Sequence, residues 1–324
     1  MMAKIAMAGT GASLLLAVAA LLAPAYAQQE KIARIGILSA AQPDEFSLVE
    51  TLRALGYVPG KNVLYEVRFA NWQTERLPEL VRELLRQKVD VIVAYTNIPG
   101  FAAKKTTDRV PIVVWGIHGA LETGLVRDLA RPRGNVTGVE SLAPQLDAKR
   151  LELIRAIVPN IARIGVVYNL NDPGTPFHLE STREAAQKLG VRVVPLPVNR
   201  ADDFESVLSA ASGSIDALLT FTDDLTAWNW HKIAEFASKH RLPTVCEFRI
   251  LVQGGCLLSY GPSFDEFNSV VARQVDKILK GAKAGDLPIE QARRFELLLN
   301  SKTAKLLGTT IPQSILTSAD KVIE

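Results

Sequence analysis

Short apolar segments rich in Ile and Val recur along the chain, and three of them occur twice in the same order. The sequence IARIG opens both residues 32–40 and residues 161–169. Two further matches follow at nearly the same offset, VDVIVAYT (89–96) with IDALLTFT (215–222) and VPIVVWG (110–116) with LPTVCEF (242–248). Continuous apolar runs of this length are typical of strands buried on both faces of a parallel sheet. The shared order indicates one structural unit used twice.

Helical patterns separate these strands. Residues 77–88 (LPELVRELLRQK) repeat Leu and Val at helical spacing, and residues 182–190 end on Gly190, a common helix stop. Residues 226–240 (TAWNWHKIAEFASKH) form a third such pattern. The resulting β-α-β-α-β order in each half predicts an α/β fold of two similar doubly wound parallel-sheet lobes. IARIG is then the first, central strand of each lobe.

The N-terminal residues 1–27 have the pattern of a secretory signal. Lys4 precedes the apolar run 11–23, and Ala25 and Ala27 place small residues where a signal peptidase recognises its site. An uncleaved anchor helix is the alternative, but such a helix needs about 20 apolar residues. We therefore expect cleavage after Ala27 and an exported, soluble mature protein that is not embedded in the membrane.

About 297 residues remain after cleavage, a length on the order of two domains. Extended stretches near residues 131–141, 258–263 and 287–300 are expected to cross between the lobes and to form a multi-strand hinge that permits closure. The predicted boundaries are residues 28–138 plus about 262–290 for lobe one, and residues 139–261 plus about 291–324 for lobe two.

Composition and cysteine content narrow the picture further. The formal net charge is +3, and no dense Lys/Arg tract with interleaved aromatics occurs, so we expect no nucleic-acid partner. An oxidising compartment permits a disulfide between Cys246 and Cys256. The alternative, which we favour from the sequence, is two small buried hydrophobes on neighbouring strands.

Ligands of open α/β sheets bind outside the carboxyl ends of the strands, so the loops that follow the predicted strands should line a cleft between the lobes. These loops are polar or aromatic, although the strands before them are apolar. Each residue has the alternative role of a helix cap or turn former. The candidate ligand-binding residues are Ser39, Thr96, Asn97 and His118 in lobe one, Tyr168, Asn169, Thr222, Asp223 and Glu247 in lobe two, and Tyr260 at a crossing.

Some candidates match particular ligand groups. Asp223 is the candidate partner of a ligand amine, because a fixed carboxylate pairs with it. The N-terminus of the helix after Ser39 is the candidate for a ligand carboxylate. Trp72 and Trp115, near predicted strand ends, are candidates to stack on a ligand ring, whereas Trp230 is expected to pack between helix and sheet.

The sequence contains no enzyme signature. A G-x-S-x-G elbow, a Walker loop and an H-E-x-x-H motif are all missing from it. The adjacent Asp223 and Asp224 suggest paired carboxylates, but neighbouring side chains are expected to point to different sides, which favours a simple turn. We therefore expect no catalysis, no cofactor and no metal.

Five longer segments carry a family resemblance: RLPELVRELLRQKVDVIVA (76–94), GLVRDLARPRGNVTGV (124–139), AKRLELIRAIVPNIARIGVVYN (148–169), GGCLLSYGPS (254–263) and FELLLNSKTAKLLGTTIPQSILTSADKVIE (295–324). Together they resemble the substrate-binding proteins of bacterial ABC importers, in the group that includes tryptophan- and other aromatic-type binding proteins. The resemblance implies a periplasmic protein with the type I periplasmic-binding fold, which hands its ligand to a permease driven by an ATPase.

The ligand loops depart from the family pattern. Where the family often has Gly-Asp-Pro, this chain has residues 118–120, His-Gly-Ala, and the family's Asn-Pro-Asn is replaced by residues 169–171, Asn-Leu-Asn. The scaffold is kept and the loops change, which leaves the ligand's identity open. We expect a monomer that captures a small polar or aromatic solute, amino acid-like or an aromatic acid. The alternative function is a periplasmic sensor subunit for a signalling receptor.

Overall fold

The computed structural model describes residues 32–40 and 47–324, so the predicted signal at residues 1–27 and residues 41–46 lie outside the described residues. The strands are β1 (Ala33–Ser39), β2 (Val63–Phe69), β3 (Val91–Tyr95), β4 (Ile112–Ile117), β5 (Val136–Glu140), β6 (Arg163–Asn169), β7 (Arg192–Val198), β8 (Ala217–Thr220), β9 (Thr244–Cys246), β10 (Leu258–Pro262), β11 (Glu290–Gln291), β12 (Phe295–Asn300) and β13 (Lys321–Ile323). The helices are α1 (Ser47–Ala54), α2 (Leu77–Arg86), α3 (Asn97–Thr106), α4 (Ala143–Ile157), α5 (Thr175–Lys188), α6 (Asp203–Ala210), α7 (Asp224–Trp228), α8 (Trp230–Lys239), α9 (Arg249–Gln253), α10 (Phe264–Leu279), α11 (Ser301–Leu307) and α12 (Gln313–Ser318).

The strands form two sheets with matching internal order. The first sheet runs β11-β5-β4-β3-β1-β2, and the second runs β13-β12-β10-β9-β8-β6-β7. Strand β1 therefore lies between β2 and β3, and β6 lies between β7 and β8, in parallel pairing throughout. The two copies of IARIG occupy equivalent positions, each next to the edge strand of its sheet and not at the centre that the sequence predicted. The predicted α/β fold with two doubly wound lobes is confirmed.

Helices cover both faces of each sheet. Successive side chains of a strand point to opposite faces, so each strand contributes to two separate cores. In β3, Val91 and Val93 pack with α1 and α10, whereas Ile92 and Ala94 pack with α2 and α3. The second sheet likewise separates one core against α4 and α5 from another against α6 and α8.

The chain passes between the two sheets three times: after β5, after β10, and between β11 and β12. Backbone hydrogen bonds tie these passages together. The Ala292 N–H donates to the Glu140 carbonyl at 3.0 Å, and the Ser263 N–H donates to the Arg294 carbonyl at 3.0 Å. Linked passages of this kind are typical of a hinge between two lobes.

Two local expectations were wrong. The helix predicted over residues 226–240 is interrupted at Asn229, which separates α7 from α8. Cys246 and Cys256 form a disulfide with their Cα atoms 6.5 Å apart. Cys246 pairs with Ser259 in β10, and Cys256 lies just before β10 but alongside β9, with its Sγ 3.5 Å from the Thr244 carbonyl oxygen, which brings the two cysteines within bonding reach.

Within the described residues, we find no helix whose length and apolar character would allow it to cross a membrane.

Gly261 lies in β10, where the chain is closely packed just before it passes between the sheets for the second time. A Cβ atom at this position would lie 1.8 Å from the Glu247 carbonyl oxygen, a backbone atom that cannot rotate away. We predict that Gly261→Ala lowers the free energy of unfolding by roughly 3 kcal/mol. Urea unfolding measures the change.

Gly134→Ala is the matched control, because nothing lies within 4 Å of the added Cβ atom. Its effect should stay within about 0.5 kcal/mol. Equal stability of the two variants would contradict the close packing described for β10.

Candidate functional site

Residues at the carboxyl ends of strands from both sheets line one cleft of about 650 Å³. This volume is within the usual range of small-molecule sites, about 300–1,000 Å³. Lobe one contributes Ser39, Ser47, Trp72, Tyr95, Thr96, Trp115, Phe264 and Asn268. Lobe two contributes Thr222, Asp223, Asp224, Trp228, Phe248 and Arg249, among others.

An aromatic wall surrounds Trp115. Its ring centroid lies 5.5 Å from that of Tyr95 in a stacked arrangement and 5.0 Å from that of Phe264 in an edge contact. The indole N–H donates to Asn268 Oδ1 at 2.9 Å, and Asn268 Nδ2 donates to Ser47 Oγ at 2.7 Å. With its ring packed and its N–H bonded, Trp115 offers a fixed apolar surface.

Trp115 points to the same face of the first sheet as Val113, as the alternation of a regular strand requires, and the irregularity in β4 comes after it, where Ile117 packs on the opposite face. The pairing of β4 with β5 shifts register between Val114 and Ile117, and Gly116 adopts φ = 73°. Such bulges commonly redirect a side chain beside a binding site.

The acidic part of the cleft is built by Asp223 and Asp224, which follow β8. Contrary to expectation, both side chains line the cleft, because the chain turns into α7 at this point. Asp223 accepts hydrogen bonds from the Thr226 N–H at 2.9 Å and from Asn169 Nδ2. Burial raises the pKa of Asp223. Burial and the neighbouring Asp223 charge raise the pKa of Asp224 to about 8.

Donors of lobe one meet carboxylates of lobe two across the cleft. The Ala40 N–H donates to Asp224 Oδ2 at 3.3 Å, and Asn97 Nδ2 donates to Asp172 Oδ1 at 3.0 Å. Burial, followed by the Asp223 charge, raises the pKa of Asp172 to about 6. The lobes are therefore in contact, and their contact removes carboxylates from water.

We call this contact between the lobes, Ala40 with Asp224 and Asn97 with Asp172, the seam. Thr96 lies at the seam in a strained conformation. Its φ of 67° is in the left-handed region, which is an outlier for a β-branched residue. Strain of this kind is concentrated at ligand sites, where the surrounding structure holds it in place. The strained turn begins α3 and puts Asn97 against Asp172.

A second cavity, about the size of one water molecule at about 10 Å³, lies beside the cleft and is lined by His118, Asn169, Thr222 and Asp223, among others. Burial lowers the pKa of His118 to about 3, so its imidazole is neutral at pH 7. Asn97 fixes the His118 backbone through hydrogen bonds to its N–H at 3.1 Å and its carbonyl at 2.9 Å. The His118 ring also faces lobe two, with its centroid 6.1 Å from that of His178.

Glu247 belongs to a buried charge network in lobe two. Its Oε1 lies 3.7 Å from His178 Nε2 and 3.8 Å from Arg150 Nη1, and Arg150 is also paired with Asp147 at 2.6 Å. Burial raises the pKa of Glu247 to about 6. Arg150 Nε donates to the Tyr260 carbonyl at 2.7 Å, which joins the network to β10.

The predicted site residues are therefore distributed over several environments. Four of them, Ser39, Thr96, Thr222 and Asp223, line the main cleft. Tyr168 packs in the lobe-two core, 6.1 Å from the ring of Phe221, and the Tyr260 ring lies 6.3 Å from that of Phe295.

Several cleft residues were missed or left undecided by sequence reasoning. Tyr95 ends the apolar strand β3 and Trp115 lies near the end of β4, positions that are typical of cleft aromatics. Phe264 and Asn268 come from α10, which reaches the cleft only because the chain crosses back to lobe one. Among the described residues there is no group of three or more His, Cys, Asp or Glu side chains that could hold a metal ion.

Comparisons with known proteins agree with this architecture. A family described as ABC transporter substrate binding protein matches residues 40–323. A tyrosine-binding protein of Clostridioides difficile (strain R20291) is 25% identical over 259 residues, which cover 80% of this chain and 74% of that protein.

Two solved structures share the fold. A conserved domain protein from Vibrio cholerae is 26% identical with a TM-score of 0.86, over 90% of this chain and 100% of that one. An ABC domain in complex with L-Trp from Streptococcus pneumonia is 24% identical with a TM-score of 0.83, over 90% of this chain and 99% of that one.

The raised pKa of Asp224 predicts a pH-dependent stability. An unfolded Asp titrates near 3.8, whereas Asp224 in the folded protein titrates near 8, so the folded state holds this proton more tightly. Between these values the free energy of unfolding falls as pH rises. Asp224→Asn removes this dependence. From pH 5 to pH 9, ligand-free wild type should lose roughly 4 kcal/mol relative to the variant, measured by urea unfolding.

Asp108→Asn, at an exposed loop position, is the control, and its stability should stay parallel to that of the wild type. Asp172, Asp223 and Glu247 titrate in all three proteins, so the difference between wild type and Asp224→Asn isolates the part of the pH dependence that requires Asp224. Parallel curves for wild type and Asp224→Asn would contradict the raised pKa.

Proposed function

The chain belongs to the family of ABC transporter substrate-binding proteins, and on this premise we propose that it captures an aromatic solute bearing an amino group and delivers it to a membrane permease driven by an ATPase. The solute binds in the cleft between the lobes. The observation that carries this proposal is the joint presence, in one cleft, of the aromatic wall around Trp115 and the carboxylates of Asp223 and Asp224.

The aromatic wall and the two carboxylates each suit a different part of the solute. The faces and edges around Trp115 suit an aromatic ring, whose stacking adds to the area it buries. Asp223 and Asp224 suit an ammonium group, because a positive charge relieves two neighbouring carboxylates and forms charge-assisted hydrogen bonds. The similarity to a tyrosine-binding protein supports the same class of solute.

Hydroxyl and backbone groups of lobe one are the proposed partners of a ligand carboxylate. Ser39 and Thr96 line the cleft, and α3 begins at Asn97 with N–H groups that attract an anion. Arg249 also lines the cleft, and its guanidinium lies 3.3 Å from Asp265 Oδ1 in an exposed ion pair. An aromatic amino acid satisfies all of these groups together.

Closure follows from the contacts across the seam. The solute enters between open lobes, and its binding to both lobes favours the state in which Ala40 meets Asp224 and Asn97 meets Asp172. A ligand shifts this equilibrium only by its differential affinity for the closed state. The proposal includes export through the signal at residues 1–27, a periplasmic location, a monomeric state and no catalysis.

Thermal-shift and calorimetric measurements test the solute class, using protein exported by a bacterial host, then unfolded and refolded to remove carried-over ligand. The probes are L-tryptophan, L-tyrosine, L-leucine and indole-3-propionate, which keeps the ring and carboxylate but lacks the amine. We predict binding of the aromatic amino acids and much weaker binding of the other two. At about one hundred times the dissociation constant, a ligand adds roughly 2.7 kcal/mol of stability.

Asp224→Asn identifies the amine partner. The substitution should weaken binding of L-tryptophan by roughly ten- to a hundredfold, as for a lost charged hydrogen bond, and leave indole-3-propionate binding unchanged or stronger. Asp108→Asn again serves as the control. Equal loss for both ligands would show that Asp224 acts on the shape of the cleft and not on the amine.

A further inference from the structure

Trp72 of lobe one and Trp228 of lobe two meet across the cleft, with ring centroids 5.5 Å apart and planes at 34°. Both line the cleft. Trp228 is 46% exposed, whereas Trp115 is only 8% exposed, so the two tryptophans stand at the outer end and Trp115 at the inner end. We call Trp72 and Trp228 the mouth pair.

We propose that the mouth pair is a gate that limits the length of the bound solute and holds the lobes closed over it. The size limit rests on the proposed function, whereas the contact between the lobes does not.

The backbone that carries Trp72 is held in an unusual conformation. Asn71 and Trp72 both lie in the left-handed region, with φ of 48° and 68°. Two successive residues of this kind without glycine are strained, and strain persists where other contacts enforce it. Here the Trp72 N–H donates to the Ala40 carbonyl at 2.9 Å, which fixes the turn after β2 against the end of β1.

The interruption at Asn229 places Trp228 at the cleft. Helix α7 has only five residues and ends at Trp228, and Asn229 Nδ2 donates to the Leu225 carbonyl at 2.9 Å. Trp230, two residues later, begins α8 and is buried, with its indole N–H bonded to the Gly254 carbonyl at 2.8 Å. The break thus separates a core tryptophan from a tryptophan at the mouth.

Ala40 forms hydrogen bonds with both sides of the gate, Trp72 in lobe one and the helix that carries Trp228 in lobe two. Its carbonyl accepts from Trp72, and its N–H donates to Asp224 Oδ2, at the first residue of the helix that carries Trp228. Opening the lobes must therefore break the ring contact and the Ala40–Asp224 hydrogen bond together. A solute that extends past the mouth would separate the rings and lose both contacts.

The size limit is tested with L-tryptophan and the longer dipeptide L-tryptophyl-glycine. We expect wild type to bind the amino acid more tightly. Trp228→Ala should weaken binding of L-tryptophan by roughly two- to tenfold, as for the loss of an aromatic pair, while weakening the dipeptide less or strengthening it. Trp228→Phe, which keeps a ring, should retain most of the preference. Phe177→Ala is the matched control, since Phe177 is 44% exposed and lies away from the cleft, and this variant should bind both solutes as the wild type does.

A double-mutant cycle tests the contact without ligand. Trp72→Ala, Trp228→Ala and the double variant are compared by urea unfolding, and contacting residues should show non-additive losses. Additive losses would overturn the gate. A non-additive cycle with an unchanged preference between the two solutes would overturn the size limit. A non-additive cycle in a protein that binds no aromatic solute would refute the proposed function and still support the contact between the lobes.

Discussion

The contact between the lobes depends on carboxylates that are withdrawn from water where the two sheets meet. Asp172 and Asp224 belong to lobe two, yet each accepts a hydrogen bond from lobe one, through Asn97 and Ala40. Hydrogen bonds from neutral donors stabilise a buried carboxylate only in part, and the pKa values of both groups are raised accordingly. The seam therefore favours any added positive charge, either a proton or a cationic group of a solute.

The rest of the structure places these groups and keeps them rigid. Equivalent strand orders bring the carboxyl ends of both sheets to the same cleft. In lobe two, Arg150 joins the start of α4 to β10 by donating to the carbonyls of Ala143 and Tyr260. This buried guanidinium thus connects two segments of lobe two that adjoin passages between the lobes.

The repeat was predictable because it rests on local patterns. Apolar strands and amphipathic helices are visible in single segments, and the two copies of IARIG mark equivalent strands β1 and β6. The site was only partly predictable. Thr96 and Asp223 follow strands directly, whereas Phe264 reaches the cleft through a crossing that no local pattern describes. The direction of Trp228 depends on a helix break at Asn229, where the surrounding sequence still has helical periodicity.

The same geometry explains how solutes would be discriminated under the proposed function. A ring without an amine can occupy the wall around Trp115, but it leaves Asp223 and Asp224 next to each other in a cleft from which closure removes water. The lobes can then close only by taking up a proton at the seam, which becomes harder as pH rises toward the pKa of Asp224, about 8. An ammonium group supplies the charge directly. Discrimination then acts on the closing step and not on first contact with the open cleft, because closing is the step in which the carboxylates lose their water.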